Sequence, residues 1–218
     1  MGAQRLDMEP SIFEEQVLSF TDEIRKILDG CLVGELRFEQ DAYLPEEYRI
    51  AFKGKKQLHV ASVDVPVAEL HVRYALTVNS TGNHLAVRNS SFKLVYSRGK
   101  AQSPVLRYDF DRETRNKPSS HLHFHSESVP ISLLLASAGQ YKQAFEQQNI
   151  HFPLGNERFR LCLEDVVEFL IGELHFTAQP GWEQAIARTR ADYLRKQTET
   201  VIRKNLDLAR EIMAEEAE

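Results

Sequence analysis

Apolar and polar residues alternate along much of the middle of the chain, and this pattern predicts a strand-rich region. In the clearest case, residues 70–78, every second side chain is large and apolar, so these side chains share one face of a strand. The same pattern predicts further strands at 32–38, 48–52, 58–63, 84–87, 92–96, 105–110 and 121–125. Residues 54–56 (Gly-Lys-Lys) predict a turn, and residues 89–91 (Asn-Ser-Ser) predict a bulge or a short loop. Short, closely spaced strands of this kind favour an antiparallel meander.

Helical spacing of apolar residues appears on both sides of the strands. It covers residues 12–28 before them and 161–174 after them, and Pro130 suits the first turn of a helix that runs to about Gln148. We therefore expect an α+β fold. In it, an antiparallel β-sheet meander carries an N-terminal helix and C-terminal helices packed on one face.

A Pro-Gly-Trp sequence at residues 180–182 interrupts the chain before its last helical stretch. We take residues 1–179 as a single α+β domain and residues 180–218 as a helical C-terminal extension. The stretch 183–213 has many charges and few large apolar side chains. Two placements stay open: the extension packs along the sheet, or it docks on a second subunit and forms a homo-oligomer.

Composition places the chain among ordinary globular proteins, with 42% hydrophobic and 27% charged residues. Cys31 and Cys162 have no CxxC partner, which predicts buried free thiols in a reducing compartment. No apolar signal follows the N-terminus and no run of about 18 apolar residues occurs. We therefore expect a cytoplasmic protein with no membrane partner.

Charge is spread unevenly along a chain whose net charge is -5. Residues 84–117 hold 8 Lys/Arg against 3 Asp/Glu, whereas residues 1–50 hold 5 against 12. A basic middle on an acidic protein predicts a local anion-binding face, and the alternative is plain solvating charge on strands and loops.

The most unusual local pattern is the histidine strand, residues 121–125 (His-Leu-His-Phe-His). Alternation puts the three histidines on one face and Leu122 and Phe124 on the core face. Histidines two apart lie about 6.6 Å apart at Cα, so an adjacent pair can share a metal ion, whereas the outer two are about 13 Å apart. A metal site would therefore combine one pair, His121/His123 or His123/His125, with a ligand from another strand. Candidates by composition are Asp109, Asp111 and His84.

The same strand suits acid–base chemistry. Cleavage of RNA by attack of its 2′-OH needs a base, an acid and a cation over the phosphate, which histidine, tyrosine and arginine supply. The candidate catalytic residues are His121, His123, His125, Arg107, Tyr108 and Asp109. Whether Arg107 and Asp109 share a face with the histidines depends on strand register. The alternative is a solvated polar face without a catalytic role. The sequence contains no cofactor-binding motif, so we expect no cofactor, and a metal stays an open question.

Residues 106–109 (Leu-Arg-Tyr-Asp), Pro118, the histidine strand and the helical segment 163–170 occur in an order that resembles a group of uncharacterised small bacterial proteins. The order is also similar to that of TumE-type toxins of toxin–antitoxin modules. The resemblance covers about residues 104–174. It implies a compact α+β domain with RNA as target and a cognate antitoxin or regulatory protein as partner.

Three functions follow as hypotheses. The first is an RNA-directed hydrolase or toxin-like component that uses the histidine strand and Arg107. The second is a non-enzymatic interaction or regulatory module that oligomerises through its helical tail. The third is a metal-binding protein built on a histidine pair. The residue patterns leave open whether the protein is an enzyme.

Overall fold

The computed structural model describes residues 8–44, 47–79, 82, 84–98, 101–155 and 160–215, except for the side chains of Arg98 and Lys204. Helices and strands are both abundant in these ranges, and the fold is α+β as the sequence predicts. The helices are α1 (Pro10–Cys31), α2 (Val129–Ser137), α3 (Tyr141–Phe145), α4 (Leu163–Gly172), α5 (Trp182–Lys204) and α6 (Leu206–Glu215), with a 3₁₀ turn at Gln147–Asn149. The strands are β1 (Leu36–Leu44), β2 (Arg49–Leu58), β3 (Ala68–Val78), β4 (Leu85–Arg98), β5 (Ala101–Asp111), β6 (Ser120–Phe124) and β7 (Phe152–Pro153).

The seven strands form one antiparallel sheet in which every strand pairs with its neighbours in the chain, in the order β1 to β7. The predicted meander is therefore confirmed. The register of β3 against β4 shifts between Ala75 and Leu76, where Ala75 lies opposite Asn89 and Leu76 opposite Val87. The bulge thus lies at Arg88, immediately before the Asn-Ser-Ser segment, and β4 continues through both.

The core lies on one face of the sheet, beneath α1 and α4. The apolar positions of β3 that alternate in the sequence provide its centre, and they are buried from Leu70 to Leu76. Leu28 of α1 and Leu170 of α4 are buried in the same apolar cluster. Burial of this apolar surface is the main favourable contribution to folding.

The predicted turn at Gly54 is wrong, because β2 continues through this residue. Gly54 pairs with Phe38 of β1, and a Cβ at Gly54 would lie 2.8 Å from the Phe38 ring. The glycine therefore makes room for the neighbouring ring on the core face. A glycine inside a strand often marks such a close approach.

The predicted helix from Pro130 to Gln148 is also wrong, because two short helices replace it. The chain turns at Gly139, whose φ of +73° suits glycine. We call residues 126–151 the arm, which contains α2, α3 and the 3₁₀ turn. No residue of α2 is buried, and α3 buries only Ala144. The arm exposes large apolar side chains at Val129, Leu133, Leu134, Tyr141 and Phe145.

Cys31 and Cys162 are buried free thiols, as predicted. Burial, with Glu164 nearby, raises the pKa of Cys31 to about 11, so its thiol stays protonated and unreactive at neutral pH. In the described ranges, every helix is too short or too polar to cross a bilayer.

The last two helices differ in how they contact the rest of the protein. Ile186 of α5 is buried in the core, whereas Leu206, Leu208, Ile212 and Met213 of α6 are exposed. Docking of this tail on a second subunit stays a prediction.

Candidate metal centre

The register of β5 against β6 brings the predicted site residues together. Arg107 lies opposite His123, and Asp109 lies opposite His121. Directly opposed residues point to the same side of a sheet, so all four side chains share one face. This face is opposite to the one that α1 and α4 cover.

The alternative of a solvated polar face does not hold for two of its histidines, which are buried. The side chain of His121 is 0% exposed and that of His123 is 6% exposed. The cause is the end of the arm and the strand that follows it. Strand β7 pairs with β6, with Pro153 opposite His121, and the carbonyl of Gln148 contacts the His123 ring. The histidine strand is thus an inner strand of the sheet, and its polar face is covered.

His151, which no pattern in the sequence singles out, completes a cluster of three histidines. Continuing the β6–β7 register by one pair places His151 opposite His123, on the same face. The three rings are mutual neighbours, with centroids 4.6–4.9 Å apart. One ring nitrogen from each histidine lies within 4.8 Å of the other two. We call His121, His123, His151 and Asp109 the centre.

Backbone carbonyls determine which nitrogen of each buried ring carries the proton. His121 Nδ1 lies 2.7 Å from the carbonyl oxygen of Pro118, and His123 Nδ1 lies 2.9 Å from that of Gln148. A carbonyl oxygen only accepts, so both Nδ1 atoms donate. In a neutral ring the Nε2 atom then presents a free lone pair. A backbone carbonyl that orients Nδ1–H in this way is the usual outer partner of a metal-binding histidine.

Burial keeps these rings neutral. It is the main cause that lowers the pKa values of His121, His123 and His151 below their ordinary value of 6.5. Lys117 further lowers the pKa of His121, Arg107 that of His123, and both cations that of His151. At neutral pH the unprotonated form, which is the one that binds metal ions, therefore predominates.

The lone pairs of two rings converge on a carboxylate oxygen. Asp109 Oδ2 lies 3.7 Å from His121 Nε2 and 3.5 Å from His123 Nε2, and it accepts a 2.7 Å hydrogen bond from Arg107 Nε. The buried Nε2 atom of His121 has no hydrogen-bond partner. Lone pairs that face a carboxylate repel it, and a cation between them would turn this repulsion into attraction.

The donor set and its spacing fit zinc. A tetrahedral ion with ligands at 2.0–2.1 Å places its ligand atoms about 3.4 Å apart, close to both Asp109–histidine distances. The three histidine nitrogens lie within 4.8 Å of one another, so the rings must move closer together for all three to bind one ion. With Asp109, which lies near two of the three rings, three imidazoles and one carboxylate would complete a tetrahedral shell. Such a closed shell is typical of structural or regulatory sites.

The other predicted site residues lie outside the centre. Tyr108 points to the opposite face of β5 and packs against Phe169 of α4, with ring centroids 6.5 Å apart. His125 follows the last residue of β6, and its buried Nε2 atom has no hydrogen-bond partner. Asp111 forms an ion pair with Lys117. His84 lies beside Asn79, in the connection between β3 and β4.

Comparison of the chain with models of known protein families, with curated proteins and with solved structures gives no match. The resemblance to TumE-type toxins therefore stays a prediction, and the site is interpreted from its own geometry.

Proposed function

We propose that the protein binds a divalent transition metal of the zinc class through His121, His123 and His151, with Asp109 as fourth ligand. The observation that carries the proposal is the orientation of the two buried rings. Each donates its Nδ1 proton to a backbone carbonyl and directs its Nε2 lone pair towards Asp109 and the neighbouring ring. Imidazole and carboxylate ligands suit zinc in this geometry.

Burial favours a metal over general acid–base catalysis at these rings. An acid catalyst must hold a proton near neutral pH, whereas the pKa values of His121 and His123 are lowered, chiefly by burial. The neutral rings that burial favours are the form a metal ion needs. A closed shell also suits a role in folding or regulation, since it leaves no coordination position for a substrate.

Cobalt titration of the untagged full chain, after treatment with a chelating resin, tests the proposal. We expect one equivalent of Co²⁺ to give the visible absorption of a tetrahedral site, and Zn²⁺ to displace it. His151→Ala should weaken binding by at least about 100-fold, because a direct ligand should count at least as much as an outer partner. His151 is half-buried, so this variant keeps the buried rings and their carbonyl partners in place.

His84→Ala is the matched control, because His84 lies between β3 and β4, outside the centre. This variant should bind Co²⁺ as the unchanged protein does. Binding of less than about a tenth of an equivalent by the unchanged chain, or equal binding by His151→Ala, would contradict the proposal.

A second candidate function is cleavage of RNA, which the register of β5 against β6 favours. It sets Arg107 and Asp109 opposite the two buried histidines, so a cation for phosphate lies next to acid–base groups. In this proposal the partner is RNA, and a cognate antitoxin would bind over the same face.

The metal-free full chain, incubated with a single-stranded RNA, tests this second function. Cleavage that needs no metal and is lost in His123→Ala would support it. Absence of cleavage, or cleavage that His123→Ala leaves unchanged, would overturn it. Folding of the variant is checked by circular dichroism.

A further inference from the structure

Beside the centre, on the same face of the sheet, two cations lie directly opposite each other. Lys93 of β4 pairs in register with Arg107 of β5. Like charges in directly opposed positions of an antiparallel pair destabilise a sheet unless an anion lies between them. In the described part of the chain, no carboxylate forms an ion pair with Lys93, and Arg107 pairs with Asp109.

His125 adds a third group to this pair of cations. Its backbone N–H donates to the carbonyl of Val105, which fixes the residue just beyond the end of β6. Its Nε2 atom is buried and has no hydrogen-bond partner. His123 lies opposite Arg107 and His125 lies on the same face two residues further, so the His125 ring is diagonal to Arg107 across the β5–β6 pair. A buried ring nitrogen without a partner indicates that its hydrogen-bond partner is missing, and next to two cations the partner that fits an Nε2–H group is an anion.

We propose that Lys93, Arg107 and His125 bind a phosphate-type oxyanion. The His125 ring donates through Nε2–H, Lys93 supplies an ammonium group, and Arg107 supplies the guanidinium N–H groups that do not contact Asp109. The oxyanion relieves the repulsion between the two cations and satisfies the orphan nitrogen. The ligand class is inorganic phosphate or the phosphate group of a small phosphomonoester.

This oxyanion site is distinct from the metal centre, since neither Lys93 nor His125 belongs to the centre. Arg107 is the residue that connects them, through its hydrogen bond to Asp109. Phosphate binding is therefore measured on metal-free protein, in which a phosphate bound to a metal ion cannot contribute.

Phosphorus NMR of inorganic phosphate, added to the metal-free full chain, tests the proposal. We expect line broadening that saturates with one phosphate per chain and that sulfate reverses. Lys93→Gln should weaken the binding by at least about tenfold, because it removes a charge-assisted contact. The same titration with phenyl phosphate distinguishes a site for phosphomonoesters from a site for inorganic phosphate. Stronger binding of the ester assigns the site to phosphomonoesters, and weaker binding assigns it to free phosphate.

Lys55→Gln is the matched control, since Lys55 lies on the same face, two strands away on β2, and pairs with His71 of β3. It should bind phosphate like the unchanged chain. Absence of broadening, or equal weakening in Lys93→Gln and Lys55→Gln, would overturn the proposal. Metal binding, measured separately with Co²⁺, is expected to be the same in both variants.

Discussion

Both sides of the β5–β6 pair bury side chains, and the buried side chains are apolar on one side and polar on the other. On one side, Leu106, Tyr108 and Leu122 pack against the core beneath α1 and α4. On the other side, the buried groups are two histidines, which lie beside a half-buried carboxylate.

This difference indicates that the apolar side stabilises the fold and that the polar side is suited to bind a ligand. Apolar burial is favourable, whereas a buried polar atom without a partner costs about 1–3 kcal/mol. His121 Nε2 is such an atom. The polar side therefore lowers the stability of the metal-free protein. A bound ligand would supply the missing partner and remove this cost.

The largest expected effect concerns the apolar side. Leu28 of α1 is 0% exposed, and Leu28→Ala should lower the free energy of unfolding by about 3 kcal/mol, because it leaves a cavity in the core. Urea unfolding measures this change. Leu18→Ala, at a position on α1 that is 66% exposed, should change stability by less than about 0.5 kcal/mol. Similar losses in both variants would remove the contrast between core and surface on this helix.

Zinc binding on the polar side should raise the free energy of unfolding by a comparable amount. At a free zinc concentration 100-fold above Kd, the free energy of unfolding should rise by about 2.7 kcal/mol, because the ion binds the folded chain. Thermal unfolding with and without zinc measures the rise. In His151→Ala the same zinc concentration should have little effect, and an equal rise in that variant would place the ion elsewhere.

A smaller effect should appear when the pH of the metal-free protein is lowered. Because the pKa values of His121 and His123 lie below 6.5 in the folded chain, the unfolded chain takes up protons first as the pH falls. Stability should therefore be complete above about pH 6.5 and decrease from there towards the lower folded-state pKa values. Urea unfolding at several pH values tests this, and the double variant His121→Asn/His123→Asn should show a weaker decrease. Stability that increases on acidification would mean that the rings are charged in the folded state.

The smallest effect is expected on the arm. Phe145 is 86% exposed, so Phe145→Ala should change the free energy of unfolding by less than about 0.5 kcal/mol. A loss above about 1 kcal/mol would show that the arm packs on the apolar core, and the two sides of the sheet would then share their stabilising contacts.

Much of the sheet could be predicted from the sequence because alternation is a local signal. The apolar face of β3 and the meander order follow from period-two patterning and short spacing. Gly54 was misread because a glycine beside lysines is typical of a turn, while its reason here is the Phe38 ring on another strand. A local sequence pattern does not indicate which residues of other strands a side chain contacts.

The candidate site was predictable only in part, for the same reason. The histidine strand and Arg107 stand out in the sequence, but their common face depends on register, which is a long-range property. His151 was missed because it lies at the far end of the arm, 26 residues after His125 in the sequence. The available signal was the short strand at Phe152–Pro153. In a meander, that strand should pair with the histidine strand before it.

The meander order has a consequence for how the chain folds. Because each strand pairs with the next one in sequence, the hairpins of the sheet close short loops, which costs little conformational entropy and favours fast folding. The connection from β6 to β7 is the exception, since the whole arm lies within it. Pairing of β7 is therefore the slowest closure we expect in the sheet. A metal ion that binds both His151 and the histidines of β6 would hold the two ends of this long connection together and so favour the pairing of β7.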